Sequence, residues 1–141
     1  MIDPAARPAK TEPARRVVDP VTQVEIVLSA GISAERAITH AQRERDGTLR
    51  HVRFFVDWGH PYPLWESGAG GAPMEPQDYG LSDHLARALH AWHTFWEAHC
   101  DPFDGWRDEG DRHRWLDRGD ELAALLEVEV YDFAQVHRGF R

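Results

Sequence analysis

The residues best suited to chemistry lie in one short stretch, HAWHTFWEAHC at positions 90–100. On a helix that turns by about 100° per residue, His90, His93 and Glu97 share one narrow strip, because they stand at the i, i+3 and i+7 positions. Two imidazoles and a carboxylate in this arrangement could bind one divalent cation such as zinc. A structural or catalytic zinc needs a further protein ligand, and the sequence marks no distant partner. We therefore expect a solvated helix face and no cofactor, with a metal site as the alternative.

The other notable residues of this stretch are expected to face the protein core. The same helical projection groups Trp92, Trp96, His99 and Cys100 with the leucines of the helix. Cys100, the only cysteine of the chain, is then a small buried hydrophobe. It cannot form a catalytic pair with His99, because neighbours on a helix point about 100° apart.

Other catalytic motifs are absent from the sequence. It contains neither a glycine-rich phosphate-binding loop nor a Gly-x-Ser-x-Gly nucleophile motif. The aspartates of residues 101–111 resemble a calcium site, but the ligand spacing and central glycine of an EF-hand loop are missing. The sequence therefore offers no catalytic set, which favours a binding protein over an enzyme.

A segment rich in aromatic residues and proline, GHPYPLWE at 59–66, is the second candidate site. Its two prolines cannot donate to a sheet, so the segment is predicted to be an edge strand or an extended arm. A mobile, glycine-rich loop follows it up to residue 77. Exposed tyrosine and tryptophan are common anchors of protein interfaces. Tyr62, Trp65 and His60 are therefore predicted to contact a partner protein.

Acidic residues are concentrated in the second part of the chain. Residues 1–56 carry a net charge of +2 and residues 57–141 carry −10, which gives −8 for the 141 residues. A body this acidic repels phosphate backbones, so the charge predicts no nucleic-acid binding and favours a basic partner protein. No segment has the length and apolar character of a membrane span, and the N-terminus lacks a secretory signal, so we expect a cytoplasmic protein.

The elements that must position these residues can be predicted from the apolar periodicity. Residues 1–18 are rich in proline and are predicted to be a disordered tail, whereas residues 19–141 are predicted to form one domain. The expected fold class is α+β: a small three- to four-stranded sheet with two main helices packed on one face. Gly119, inside the last helix, is expected to mark a close contact with another element. Strands are expected at 21–29, 48–58 and 128–133, and helices at 34–45, 83–99 and 108–126.

A resemblance to known proteins rests on three segments, PLW (63–65), DYGLSDHLARALHAWHTFW (78–96) and RWLDRGDELAALLEVEV (114–130). They are similar to short, acidic, tryptophan-rich proteins of GC-rich Gram-positive bacteria, which are uncharacterised. The similarity covers roughly residues 50–130, and its motifs are packing motifs. The resemblance therefore implies a shared fold and transfers no catalytic residue.

Two functions remain open at this point. The first is a non-enzymatic acidic binding protein that recognises a partner protein, as an immunity protein or antitoxin does when it neutralises a basic effector. The alternative is a small metal- or ligand-dependent enzyme with a site between the 59–66 arm and the helix face of His90, His93 and Glu97. Convergence of His60 and His93 within metal-binding reach would favour the enzyme. The sequence does not indicate an oligomeric state.

Overall fold

The computed structural model describes residues 15–68 and 71–141. In chain order, the elements of these residues are β1 (Arg16–Val18), β2 (Glu25–Val27), α1 (Ala34–Asp46), β3 (Arg50–Phe54), β4 (Leu64–Glu66), β5 (Ala72–Pro73), a 3₁₀ turn (Pro76–Tyr79), α2 (Asp83–His99), β6 (Cys100–Asp101), β7 (Gly105–Trp106), α3 (Glu109–Val130) and β8 (Ala134–Arg138).

The core is built on a four-stranded sheet in the order β5-β4-β3-β8. Strand β4 runs antiparallel to β3 and β5, and β8 runs parallel to β3. Side chains alternate along a strand, so Val52, Phe54 and Leu64 point to one face, where they are fully buried in a cluster with residues of α2 and α3. The predicted fold class is confirmed: the protein is α+β, with its two main helices on one face of the sheet.

Helix α2 begins at the residue that the sequence predicts. The Ser82 hydroxyl accepts a hydrogen bond from the N–H of Leu85 at 3.2 Å, as an N-cap residue does. The Glu129 carboxylate accepts hydrogen bonds from the N–H and the hydroxyl of Ser82, at 2.7 and 2.9 Å. These bonds tie the start of α2 to the end of α3.

A pair of tryptophans joins the two main helices. The Trp92 and Trp115 rings stack with centroids 4.2 Å apart and planes 2° from parallel. Each indole N–H donates to the backbone carbonyl of the other residue, at 2.8 and 3.0 Å. A Cβ built on Gly119 would lie 2.6 Å from Cζ2 of Trp92, which is closer than the atoms of a real side chain come. The predicted close contact at Gly119 is thus confirmed.

The last strand does not lie where the alternation of VEVYDF (128–133) predicts. Helix α3 continues to Val130, and the strand is β8, which begins at Ala134. Leu122, Leu126 and Val130 stand four residues apart and are all fully buried. Residues 128–130 therefore continue the helix in spite of their alternating pattern, because the helical conformation buries Leu122, Leu126 and Val130 in one core.

Strand β2 is shorter than the predicted strand at 21–29, and the hairpin that it forms with β1 begins within the expected tail. Strand β1 pairs antiparallel with β2, and Asp19 Oδ1 accepts the N–H of Val21 at 2.8 Å, which holds the turn between them. Residues 1–14 of the expected tail lie outside the described residues. The tail prediction is wrong for Arg16–Val18, since these residues form a strand.

Helix α1 forms as predicted and is fixed to the end of α3. Ser33 caps its first turn by accepting the N–H of Arg36 at 3.1 Å. The Arg36 guanidinium lies 3.0 Å from the carboxylate of Asp132, and the His40 ring stacks on Tyr131 with centroids 4.4 Å apart. These contacts hold the N-terminal elements against the region that follows α3.

Candidate functional site

The arm at 59–66 is fixed in place by His60. Its Nε2 lies 2.8 Å from the carbonyl oxygen of Met74 and donates to it, which joins the arm to the segment that follows β5. The His60 ring also packs edge-on against Trp65, with 5.2 Å between centroids. Only 8% of His60 is exposed. His60 therefore positions the arm and offers little surface to a partner.

Tyr62 turns from the arm towards α2. Its ring centroid lies 5.6 Å from that of His90. These two residues line a cavity of about 420 Å³ together with Asp83, Ala86 and Arg87. Tyr62 is half-buried, whereas Asp83, Arg87 and His90 are exposed. Tyr62, the predicted anchor, thus forms part of the wall of this cavity.

Trp65 turns to the other face of the sheet. Its ring stacks on Phe55 with centroids 5.2 Å apart and planes 17° from parallel. Its indole nitrogen is buried and has no hydrogen-bond partner among the described residues. The structure therefore brings His60 against both predicted anchors, but Tyr62 and Trp65 belong to two different surfaces.

The face of the sheet opposite α2 and α3 groups Trp65 with four residues that sequence reasoning did not assign to a site. This open-face cluster consists of His51, Arg53, Phe55, Trp65 and His137. Nδ1 of His51 lies 3.0 Å from Nε2 of His137, and the guanidinium carbon of Arg53 lies 5.4 Å from the centre of the Phe55 ring. Arg53 pairs in register with Trp65 on one side and His137 on the other. The alternation of β3 indicates that His51 and Arg53 share the outer face of the sheet. His137 lies beside them because β8 begins at Ala134 and pairs with β3, which the sequence did not predict.

His93 faces inward, so the predicted solvated strip is wrong for this residue. It is 0% exposed, and its Nε2 donates to the carbonyl oxygen of Asp57 at 3.0 Å. Its Nδ1 lies 2.7 Å from Oε1 of Glu97, but that contact is too oblique to be a well-aligned hydrogen bond. The helical projection misplaces His93 because the segment after β3 folds over this side of α2, with the Trp58 and Trp96 rings 4.5 Å apart.

The candidate metal ligands consequently contact different residues and do not converge on one point. His90 lies against Tyr62, while His93 contacts Asp57 and Glu97. Within the described ranges, no group of three His, Cys, Asp or Glu side chains is arranged to hold a metal ion. The Nε2 atoms of His60 and His93 each donate to a backbone carbonyl instead. The arrangement of these side chains gives the metal-enzyme alternative no support.

The end of α2 is more exposed than the helical projection predicts. Trp96 and Cys100 are half-buried and His99 is exposed, with its ring stacked on Phe95 at 4.0 Å between centroids. Burial raises the pKa of the Cys100 thiol above its ordinary value, and the neighbouring Asp101 carboxylate raises it further. The thiol therefore stays protonated at neutral pH and is a poor nucleophile.

A polar cluster beside β3 and β4 is structural. Nε of Arg50 donates to Oε1 of Glu66 at 2.6 Å, and its guanidinium carbon lies 4.6 Å from the centre of the Tyr79 ring. Burial raises the pKa of the Tyr79 hydroxyl far above its ordinary value, and the Glu66 carboxylate raises it further. Because this tyrosine stays protonated, the cluster joins two strands to the 3₁₀ turn and supplies no base.

One family model matches the chain. Residues 50–137, more than half of the chain, match the family described as Serratia CdiI immunity protein-like. The matched part begins with β3, includes the arm, α2 and α3, and ends within β8. A comparison with curated proteins finds no match. Of the helices in the described residues, none combines the length and the apolar character that crossing a membrane requires.

Proposed function

Because the chain belongs to the Serratia CdiI immunity protein-like family, we propose that it is an immunity protein that neutralises a toxin protein. It binds the toxin and covers a surface that the toxin needs, without catalysis of its own. The observation that carries this proposal is the family match, which spans the sheet, the arm and both main helices.

The arm supplies a rigid aromatic anchor for the toxin. The Tyr62 ring lies between those of His60 and His90, with centroids 6.1 and 5.6 Å away. A side chain that is fixed before binding loses little conformational entropy on association, so it contributes more to affinity than a mobile one. The adjacent cavity of about 420 Å³ can accept a side chain of the toxin.

Asp83 offers this cavity one acceptor for a lysine or arginine of the toxin, and Arg87 in the same wall balances its charge. Asp83 lies in its wall and is exposed, and among the described residues it takes part in no ion pair. A cationic side chain could contact the Asp83 carboxylate and the face of the Tyr62 ring together. The net charge of −8 adds long-range attraction for a basic toxin and raises the rate of association.

We also propose that the protein acts in the cytoplasm, where it meets the toxin inside the cell that it protects. Fractionation of the native host should recover it in the cytoplasmic fraction. Recovery from the membrane or the medium would contradict this location.

Affinity capture from the native host tests the proposed function. The full chain is tagged, and retained proteins and metals are identified by mass spectrometry. A protein retained in one-to-one amount is then expressed in a host that lacks the immunity protein. We expect that protein to stop growth, and co-expression of the wild-type chain to restore growth. Arrest that persists despite formation of the complex would contradict neutralisation. Retention of a metal or small molecule with no protein would favour the enzyme alternative.

A further inference from the structure

Phe103 is the most exposed large apolar side chain among the described residues. It is 94% exposed and lies at the tip of the turn between β6 and β7. The Asp101 carboxylate accepts the N–H groups of Phe103 and Asp104 at 2.8 and 3.0 Å, and Pro102 restricts the backbone between them. The ring is therefore presented to solvent by a well-formed turn, which prepares it to act as a docking anchor.

A groove between α2 and α3 has the complementary character. Its volume is about 310 Å³. Its lining includes the stacked pair Trp92 and Trp115, together with Phe95, Ala88 and Ala91 of α2. The small alanine side chains leave the groove open above the tryptophan rings. Arg114 and Arg118 complete the lining, and both are exposed. The groove thus combines an aromatic floor with two cations, and it shares no residue with the Tyr62 cavity.

The charges around Phe103 and around the groove are opposite. Phe103 lies between Asp101 and Asp104, and Asp104 takes part in no ion pair within the described part of the chain. Among the residues that the structure describes, Arg114 and Arg118 each pair only with an acid three residues away on their own helix. Exposed contacts of this kind are weak, so the guanidinium groups can take a new partner.

We propose that a second copy of this chain occupies the groove, with Phe103 of each copy inserted into the α2–α3 groove of the other. Asp104 then meets Arg114 and Arg118 of the facing copy. A two-fold axis makes the two insertions equivalent and closes the assembly at two copies. Each copy carries a net charge of −8, so repulsion keeps the dimer weak and reversible. The dimer does not depend on the proposed function.

Sedimentation velocity of the full chain tests the dimer, over a concentration range from about 1 to 500 μM. We expect a dimer fraction that rises with concentration. Phe103→Ala removes the anchor and Ala91→Trp fills the groove, so each should raise the dimer Kd at least about 30-fold. Leu125→Ala is the matched control, because Leu125 is a 46% exposed apolar residue of α3 that does not line the groove.

A mixture of the two variants sharpens the test. Phe103→Ala keeps an intact groove and Ala91→Trp keeps an intact anchor, so the mixture retains one insertion and should associate more strongly than either variant alone. Thermal midpoints check that both variants fold. A wild-type chain that stays monomeric throughout, or a dimer that Phe103→Ala leaves unchanged, would overturn the proposal. A monomeric chain whose affinity for the captured toxin falls in Phe103→Ala would assign the anchor to the toxin instead.

Discussion

Replacing Gly119 by alanine adds a methyl group where α3 meets two aromatic rings. The new Cβ would lie 2.6 Å from Cζ2 of Trp92 and 2.7 Å from Cε2 of Phe140. Overpacking a core costs about 1–3 kcal/mol. We expect the upper part of that range, because stacking and two hydrogen bonds with Trp115 hold the Trp92 ring in place. Alanine recovers about 1 kcal/mol of helix propensity, so the expected net loss of stability is about 1–2 kcal/mol.

Urea unfolding followed by tryptophan fluorescence measures this loss, and the thermal midpoint should fall by about 2–8 °C. Gly110→Ala is the matched control in the same helix. The atoms near its new Cβ are side-chain atoms of Asp108 and Arg114, and the nearest, Oδ1 of Asp108, also accepts the N–H of Asp111 at 3.1 Å as the helix cap. That variant should change stability by less than about 1 kcal/mol, because the gain in helix propensity offsets a small shift of the capping carboxylate. A Gly119→Ala protein as stable as the wild type would refute the reasoning that space requires glycine at this position.

Three further predictions follow from the same geometry. His93→Ala should cost about 2–4 kcal/mol in urea unfolding, because it leaves a cavity and an unpaired Asp57 carbonyl, whereas His90→Ala should cost less than about 0.5 kcal/mol. Equal losses would contradict the buried position of His93. The N–H groups of Asp104 and Phe103 hold the pKa of Asp101 below its ordinary value. The ionised Asp101 carboxylate therefore stabilises the folded protein fully above about pH 4, and this contribution is lost as the pH falls through the lower folded-state pKa. The thermal midpoint of Asp101→Asn should thus lie below that of the wild type at neutral pH, and the difference between the two midpoints should disappear in acid. A difference that does not change with pH would contradict this role of the Asp101 carboxylate. Zinc or a chelator should leave the midpoint unchanged, whereas a real site at 100-fold excess over its Kd would add about 2.7 kcal/mol.

Local signals in the sequence were sufficient to predict the two main helices and a close contact of Gly119 with another element. Ser82 caps α2 through its own side chain, and the stripe that includes Gly119 and Leu122 lies on one face of α3. Each of these features depends on residues within a few positions of one another. The fold class follows from them, because an amphipathic helix must bury its apolar face against another element.

The errors arose where distant segments decide the environment. His93 lies on the flank of α2 that the helical projection leaves to solvent, but the segment at Asp57 covers it. Similarly, β8 follows a longer α3 than predicted, so the sequence could not bring His137 beside His51. A helical projection gives the direction of a side chain, and only the tertiary fold determines what covers it.

Tyr62 is the predicted interface residue that the structure leaves both accessible and fixed, and its substitution tests the account most directly. The measurement is the affinity of wild-type and Tyr62→Ala protein for the captured toxin, by surface plasmon resonance. We expect a Kd about 30-fold higher for Tyr62→Ala, a loss of about 2 kcal/mol that appears in the off-rate. Because Tyr62 packs against the core, the thermal midpoint should fall slightly, and the affinities are measured at a temperature where both proteins are folded. Trp58→Ala, which removes a 43% exposed aromatic residue outside the cavity, should bind as the wild type does. A Tyr62→Ala protein that binds the toxin with unchanged affinity would contradict the claim that the arm is the docking surface.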